Sequence, residues 1–267
     1  MTHGTFVGVN SGSAARLQEG RDEDVALVFF VRMDNPRQYL ISRASYELNA
    51  ESPFDNPLSS RFDENDAFLV LDEAFIPWED VLIYRDVAKC KRFYADSGFF
   101  NRFNLQTTIR FMIKLEFMIG LLQKGLECNG TADFRGNQVL VGELVALRHL
   151  LWAIVTAMVH DPEPSLGGSV VPRLEYAAAA RVYTNFAWDR IRQIYERILG
   201  GAPIINVSSY RDFLNPEVRP ILDRYLRGTG MTAEERSKLY KLVWDAMYSE
   251  FGGRHGLYEL NYAGNHE

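Results

Sequence analysis

The stretch SEFGGRH (249–255) gathers residue types that could hold a ligand. Gly252 and Gly253 lack Cβ atoms, so the backbone there can take a positive φ and let a ligand approach closely. Arg254 and His255 follow and offer donors to an anionic group. A glycine pair after an apolar helix is also a common helix C-cap. A second candidate is Arg110, set between Ile109 and Phe111 in an apolar helix. A guanidinium in such a place must find an anion or a set of carbonyls. That anion is Glu116, an acidic residue on another helix, or a ligand.

A third candidate is FRGNQ (134–138), which opens a helix after a loop. Free N–H groups and the positive end of the helix dipole suit a pyrophosphate, with Arg135 and Gln138 as side chains beside it. The same residues also make an ordinary solvated cap. VSSYRD (207–212) places Ser208 and Ser209 among aromatics, as a pocket wall or as an Asx/ST turn. His149 on a leucine-striped helix reads as structural, and Asp63, Glu64 and Asp66 as a solvated turn. No HExxH, P-loop, GxSxG or Cys/His metal spacing occurs.

The elements that must position these residues change character along the chain. VALVFFV (25–31), QYLISRA and AFLVLDEAFI have the length and composition of strands, separated by the turn-rich ESPFDNPLSSRFDEND (51–66). IPWEDVLI leads out of them, and from about residue 86 the chain is helical. Residues 102–127 form one long apolar segment. Leu140, Leu144, Leu147, Leu151, Ile154 and Met158 form a stripe on the next. Tyr183, Ala187, Ile191, Ile194 and Ile198 form a third, ended by Gly200 and Gly201. Thr232 is a good N-cap for a fourth helix, with Glu234 and Glu235 in its first turn. The expected fold class is α+β, mainly α: a partial β domain over 1–85, then an antiparallel helical bundle over 86–267. The strands are too few to close a barrel, and their continuous apolar character asks for cover on both faces.

At 267 residues with 47% hydrophobic and 13% aromatic content, the chain can bury a sizeable core. A net charge of -6 with no basic run argues against a nucleic-acid partner. No apolar stretch approaches the roughly 20 residues of a membrane span, and no signal peptide opens the chain. Cys90 and Cys128 are too few for a disulfide framework. The expectation is a cytoplasmic protein with a reduced interior.

Five stretches together resemble the 4-hydroxyphenylacetate 3-monooxygenase family, the oxygenase component of two-component flavin-dependent phenol hydroxylases. They are SPFDNPLSSRFDENDA, IPWEDVLIYRD, LECNGTADFRGNQ, INVSSYRDFLNPEV and SEFGGRHGLYELNYAG. The resemblance implies an acyl-CoA dehydrogenase-like fold, with a four-helix bundle that drives homotetramer formation. It also implies that the N-terminal helical domain and the start of the β domain are absent. The implied reaction is ortho-hydroxylation of a phenol through a flavin C4a-hydroperoxide, with reduced FAD from a separate flavin reductase and molecular oxygen as co-substrate. The phenol is a free small molecule such as 4-hydroxyphenylacetate, or a tyrosine-derived group tethered to a carrier protein.

Carried over onto this chain, the resemblance places Gln106, Arg110, Arg135, Gln138, Ser249, Phe251, Gly252, Gly253, Arg254 and His255 at the flavin. Ser208, Ser209 and His3 are its substrate-pocket positions. Most catalytic groups would belong to the absent front, with His255 and Arg110 as the candidates within this chain. Two rivals stand beside it. One is a truncated homologue that only oligomerises. The other is a 4-hydroxybutyryl-CoA dehydratase-like enzyme, whose iron–sulfur cluster needs several thiolates.

Overall fold

The computed structural model describes residues 6–10 and 16–261, so His3 lies outside the described residues. The chain forms two compact units, 1–44 with 65–99 and 45–64 with 100–267. In the first, β1 (Phe6–Asn10), β2 (Leu27–Arg32) and β5 (Val81–Tyr84) make an antiparallel sheet in the order β1-β2-β5. β3 (Gln38–Ser42) pairs with β4 (Ala67–Leu71) as a separate antiparallel ribbon. β1, in the stretch THGTFVGVN, is a strand that composition alone did not single out. Leu17, Ala26, Val28, Val87 and Cys90 form this unit's small core, Val87 and Cys90 coming from α2 (Val87–Asp96). Phe68, Phe75 and Trp78 remain largely exposed.

The second unit begins with a segment that is flanked by strands in sequence but packs with helices. It contains the one-turn helix α1 (Ser59–Phe62). The long helices follow: α3 (Phe99–Asn129), α4 (Arg135–His160) and α5 (Leu174–Ile198). β6 (Glu163–Pro164) and β7 (Val170–Val171) pair between α4 and α5. Then come the short α6 (Arg211–Leu214) and α7 (Arg219–Tyr225), and finally α8 (Ala233–Met247) and α9 (Glu250–Asn261).

Ion pairs give the relative direction of the long helices. Arg148 bonds Glu116 across α3 and α4, and Arg190 bonds Glu143 across α4 and α5. The paired residues lie at similar distances from each connecting loop, as antiparallel neighbours require. The core joins Phe111, Leu115 and Leu122 of α3 to Leu144 and Leu151 of α4, Trp188 and Ile191 of α5, and Tyr240 and Val243 of α8. The Tyr195 hydroxyl donates to the Met118 carbonyl, and the Tyr240 hydroxyl donates to Asn129 Oδ1 at 2.7 Å.

Local signals account for most helix ends. Thr232 and Glu235 form a capping box at the start of α8. α5 stops at Gly200, whose φ of 57° is the left-handed conformation a terminating glycine adopts. On the α5 stripe, Ala187, Ile191 and Ile194 are buried while Tyr183 is exposed.

Two sequence expectations are overturned. α4 is long and apolar enough, by length and composition, to cross a membrane, and only 17% of its most apolar stretch is buried within the chain. Glu143, Arg148 and His149 interrupt the run, which hid its length. Both Glu143 and Arg148 are spent on bridges to neighbouring helices. The second correction concerns the glycine pair. It neither stops a helix nor takes a positive φ. α8 ends earlier, at Met247, and Gly252 and Gly253 lie in the first turns of α9.

The two glycines do different jobs. A Cβ at Gly252 would stand 2.7 Å and 2.8 Å from backbone atoms of Met247 and 2.9 Å from Ala246, so this glycine lets α9 fold back onto the end of α8. Gly253 is exposed with open space around it. Gly252→Ala is therefore expected to cost about 2 kcal/mol or more, because backbone cannot yield to the new methyl. Gly253→Ala should stabilise by up to about 1 kcal/mol through helix propensity. Urea unfolding of the two variants checks the contrast.

Candidate functional site

α3 carries Arg110 and Lys114 one turn apart, with no acid three or four residues away on the same helix. Their anion comes from α9. Glu259 is buried and accepts from Arg110 Nη1 at 2.8 Å and Nη2 at 2.7 Å, and from Lys114 Nζ at 2.8 Å. Of the partners left open for Arg110, the acid on another helix is the one observed; Glu116 is taken by Arg148. Burial works against the Glu259 charge, but the Arg110 hydrogen bonds and the Lys114 ammonium hold its pKa below the usual glutamate value. Lys114 is lowered by burial, partly offset by Glu259. Its ammonium also lies 4.5 Å from the centre of the Trp188 ring, and Arg110 lies 4.7 Å from that of Tyr258.

α9 presents one face at a spacing of three and four: Phe251, Arg254, His255, Tyr258 and Glu259. His255 packs against Phe251 with ring centroids 4.3 Å apart. Its Nε2 is shielded from solvent and meets no hydrogen-bond partner among the described residues. Burial, then the nearby Lys114 and Arg254 charges, push its pKa down to about 4, so the ring is neutral near pH 7.

These groups line a cleft of about 560 Å³. Leu58, Phe62, Ile113, Phe117 and Met118 supply apolar walls; Arg110, Lys114, Arg254 and His255 supply donors. Arg254 reaches Glu64 at 3.9 Å across the rim. With Glu259 neutralising one of the three cations and the exposed Glu64 opposing another only at the edge, the cleft is electropositive. It suits a planar, apolar group bearing negative charge.

The structure thus gathers Arg110, Phe251, Arg254 and His255 in one place. Ser249 stands behind them, its hydroxyl accepting from the Gly252 amide at 3.0 Å at the start of α9. Gln106 is exposed on α3, one turn before Arg110 and outside the cleft. Arg135 and Gln138 are exposed at the start of α4. About 19 residues of α3 separate Arg110 from that end of the helix, roughly 28 Å at 1.5 Å per residue. Ser208 and Ser209 are not brought to the cleft either. Their amides donate to Asp212, Ser209 Oγ donates to Glu51 at 3.0 Å and accepts from the Arg211 amide at 3.3 Å as in an ST turn, and Ser208 lines a separate cleft with Glu51, Asp55 and Lys241. Sequence reasoning missed Lys114, Glu259, Tyr258 and the α1 wall. The readable signal was two cations one turn apart in an apolar helix with no local acid.

Comparison with known proteins bears on this geometry. Residues 1–83 match the family description 4-hydroxyphenylacetate 3-hydroxylase N terminal, and residues 90–267 match 4-hydroxyphenylacetate 3-hydroxylase C terminal. The pyoverdin chromophore biosynthetic protein of Pseudomonas aeruginosa is 53% identical over all of this chain and 53% of its own length. The 4-hydroxyphenylacetate 3-monooxygenase oxygenase component of the same organism is 47% identical over all of this chain and 51% of its own. A crystal structure of such an oxygenase component, complexed with FAD and 4-hydroxyphenylacetate, superposes with a TM-score of 0.89 at 30% identity, over 98% of this chain and 54% of that one. The chain spans about half the length of the curated relatives it matches.

Two outcomes follow from the electrostatics. Glu259→Gln leaves Arg110 and Lys114 facing each other without their anion, and should cost about 3 kcal/mol in chemical denaturation. For His255, the unfolded ring takes a proton near pH 6.5 while the folded ring stays neutral down to about 4. Stability should therefore fall as pH drops from 6.5 to 4, by on the order of 2 kcal/mol once screening of a partly exposed ring is allowed for. His255→Gln should remove that part of the slope, read from unfolding midpoints across the pH range.

Proposed function

The chain belongs to the 4-hydroxyphenylacetate 3-hydroxylase family, and on that premise we propose that it acts in the reduced-FAD-dependent ortho-hydroxylation of a phenol. The observation that carries this reading is the electropositive cleft with an unpartnered His255 Nε2. Its contents fit a flavin: apolar walls for a flat ring system, cations for its negative charge, and a ring nitrogen lacking a partner. When bound, reduced FAD supplies the two electrons with which molecular oxygen is divided between the phenol and water.

The chain's own residues then have definable tasks. Glu259 fixes Arg110 and Lys114 so that their positive charge faces the cleft without side-chain rearrangement. Neutral His255 can give or take one hydrogen bond at Nε2 without adding charge. Leu58, Phe62 and Phe117 exclude water from one side. Arg110 and His255 remain the candidates nearest to the chemistry, and Gln106 stands one turn away.

Arg135 and Gln138 can serve the same flavin only from a second subunit, because they lie too far along the helices in their own chain. The exposed apolar side of α4, with Val139, Trp152 and Val159, supports such an assembly. The homotetramer, the four-helix bundle, the partial barrel, the acyl-CoA dehydrogenase-like topology, a reductase partner and a cytoplasmic location belong to this same reading. So does a substrate range from 4-hydroxyphenylacetate-like phenols to carrier-tethered ones.

Anaerobic titration with reduced FAD tests the reading. The chain should retain reduced FAD at saturable stoichiometry in anaerobic equilibrium dialysis, and Lys114→Met should weaken binding about tenfold, which corresponds to ~1.4 kcal/mol. Absence of binding by the wild-type chain would favour the oligomerising, non-catalytic homologue instead.

A further inference from the structure

Asp245 does not line the cleft, yet both flanking walls hang from it. It lies on α8 and is 1% exposed. Its Oδ2 accepts from the Leu58 amide at 2.8 Å, the Ser59 amide at 2.8 Å and the Ser59 hydroxyl at 3.1 Å. Its Oδ1 lies 2.9 Å from the Ser249 hydroxyl, which shares its one proton between that oxygen and the Asp245 carbonyl at 3.0 Å and accepts from the Gly252 amide. One carboxylate therefore holds the start of α1 and, through Ser249, the start of α9. From the first hang Leu58, Phe62 and Glu64; from the second, Phe251, Arg254 and His255. Every group aimed at the Asp245 side chain is a donor, which suits a carboxylate, an acceptor at both oxygens, better than an amide, which turns an NH2 toward one of them.

We propose that Asp245 is a positioning residue of the ligand site, setting the spacing between the α1 wall and the α9 face of the cleft. This rests on the cleft being the ligand site. The rest of the 45–64 segment is secured independently. Asp55 accepts from Ser52 Oγ at 2.7 Å, from the Tyr210 amide at 3.0 Å and from Lys241 at 3.2 Å. Asp63 accepts from Ser45 Oγ at 3.0 Å and the Tyr46 amide at 2.7 Å. Loss of the Asp245 bonds should thus loosen α1 and the first turn of α9 locally, leaving the segment attached.

His255 reports the spacing. Arg110 and Lys114 of α3, Arg254, Tyr258 and Glu259 of α9, and Glu64 of the α1 segment are the titratable and charged groups around its cleft. If the α1 wall moves away, water reaches the ring and its titration shifts upward from about 4.

The near-isosteric Asp245→Asn tests this in the full chain, with Ser59→Ala as a milder second variant. Amide exchange at Leu58, Ser59 and Gly252 should quicken about tenfold while core amides such as Ile191 keep their rates. The NMR-monitored pKa of His255 should rise by about one unit or more, and the FAD dissociation constant should rise about tenfold. Ser59→Ala should move the same readouts in the same direction by less, and it decides the matter if Asp245→Asn does not fold. Unchanged exchange and unchanged His255 titration in a folded variant would overturn the proposal. So would faster exchange with His255 and FAD affinity unmoved, since Asp245 would then be structural only. Failure of the wild-type chain to bind FAD would count against the hydroxylase reading, while exchange and His255 titration would still decide whether Asp245 sets the wall.

Discussion

Glu259 is out of reach of water, and its charge is tolerable only because Arg110 and Lys114 converge on it. That requirement ties the last described helix to the first long one. α9 cannot drift along α3 without stranding a buried carboxylate, and neither cation can turn outward without the same consequence. The close approach at Gly252 supplies the matching constraint at the other end of α9. Between these two anchors the helix has little freedom, and the face it shows is therefore well defined. The residues on that face inherit positions that a surface loop could not give them.

The same ion cluster decides the character of the cleft. Two cations against one carboxylate leave a surplus of positive charge, and Arg254 adds to it. A surplus held in place by hydrogen bonds differs from a flexible lysine rim, because binding an anion requires no reordering of the donors. His255 fits this scheme by staying neutral. Burial disfavours a charged imidazole here, and the neighbouring Lys114 and Arg254 charges add to that, which is why its pKa is low.

Much of the fold was legible in the sequence where a local rule decides the outcome. The α4 stripe, the α5 terminus at Gly200, the capping box at Thr232 and the strands from Leu27 onward all rest on periodicity or short-range hydrogen bonding. The site was legible only by halves. Arg110 was readable because a charged residue in apolar surroundings needs an explanation, and Arg254 and His255 because they follow the glycine pair as donors. Glu259 was not, since a partner 145 residues away leaves no local trace, and Lys114 was passed over although it stands one turn from Arg110 with no local acid. The glycine pair was misread for a related reason. Glycine after an apolar run usually ends a helix, but here tertiary contact with Met247 decides, and a helix starts instead.

The distances within one chain also discriminate between ways of building the proposed site. Arg110 sits near the cleft, whereas Arg135 lies at the far end of α3, at the start of the next helix. A ligand that used both from a single chain would have to run along most of a 31-residue helix. If the residues at the start of α4 serve the same flavin, the second set must come from a neighbouring copy. α4 has the surface for that meeting, because its apolar residues outnumber those its own chain covers. The cost of exposing such a face to water, at roughly 25 cal/mol per Å², argues that it is covered in the working assembly. On the proposed reading, an uncovered helix and a ligand site divided between copies would have one cause, because a site shared between subunits needs an interface beside it.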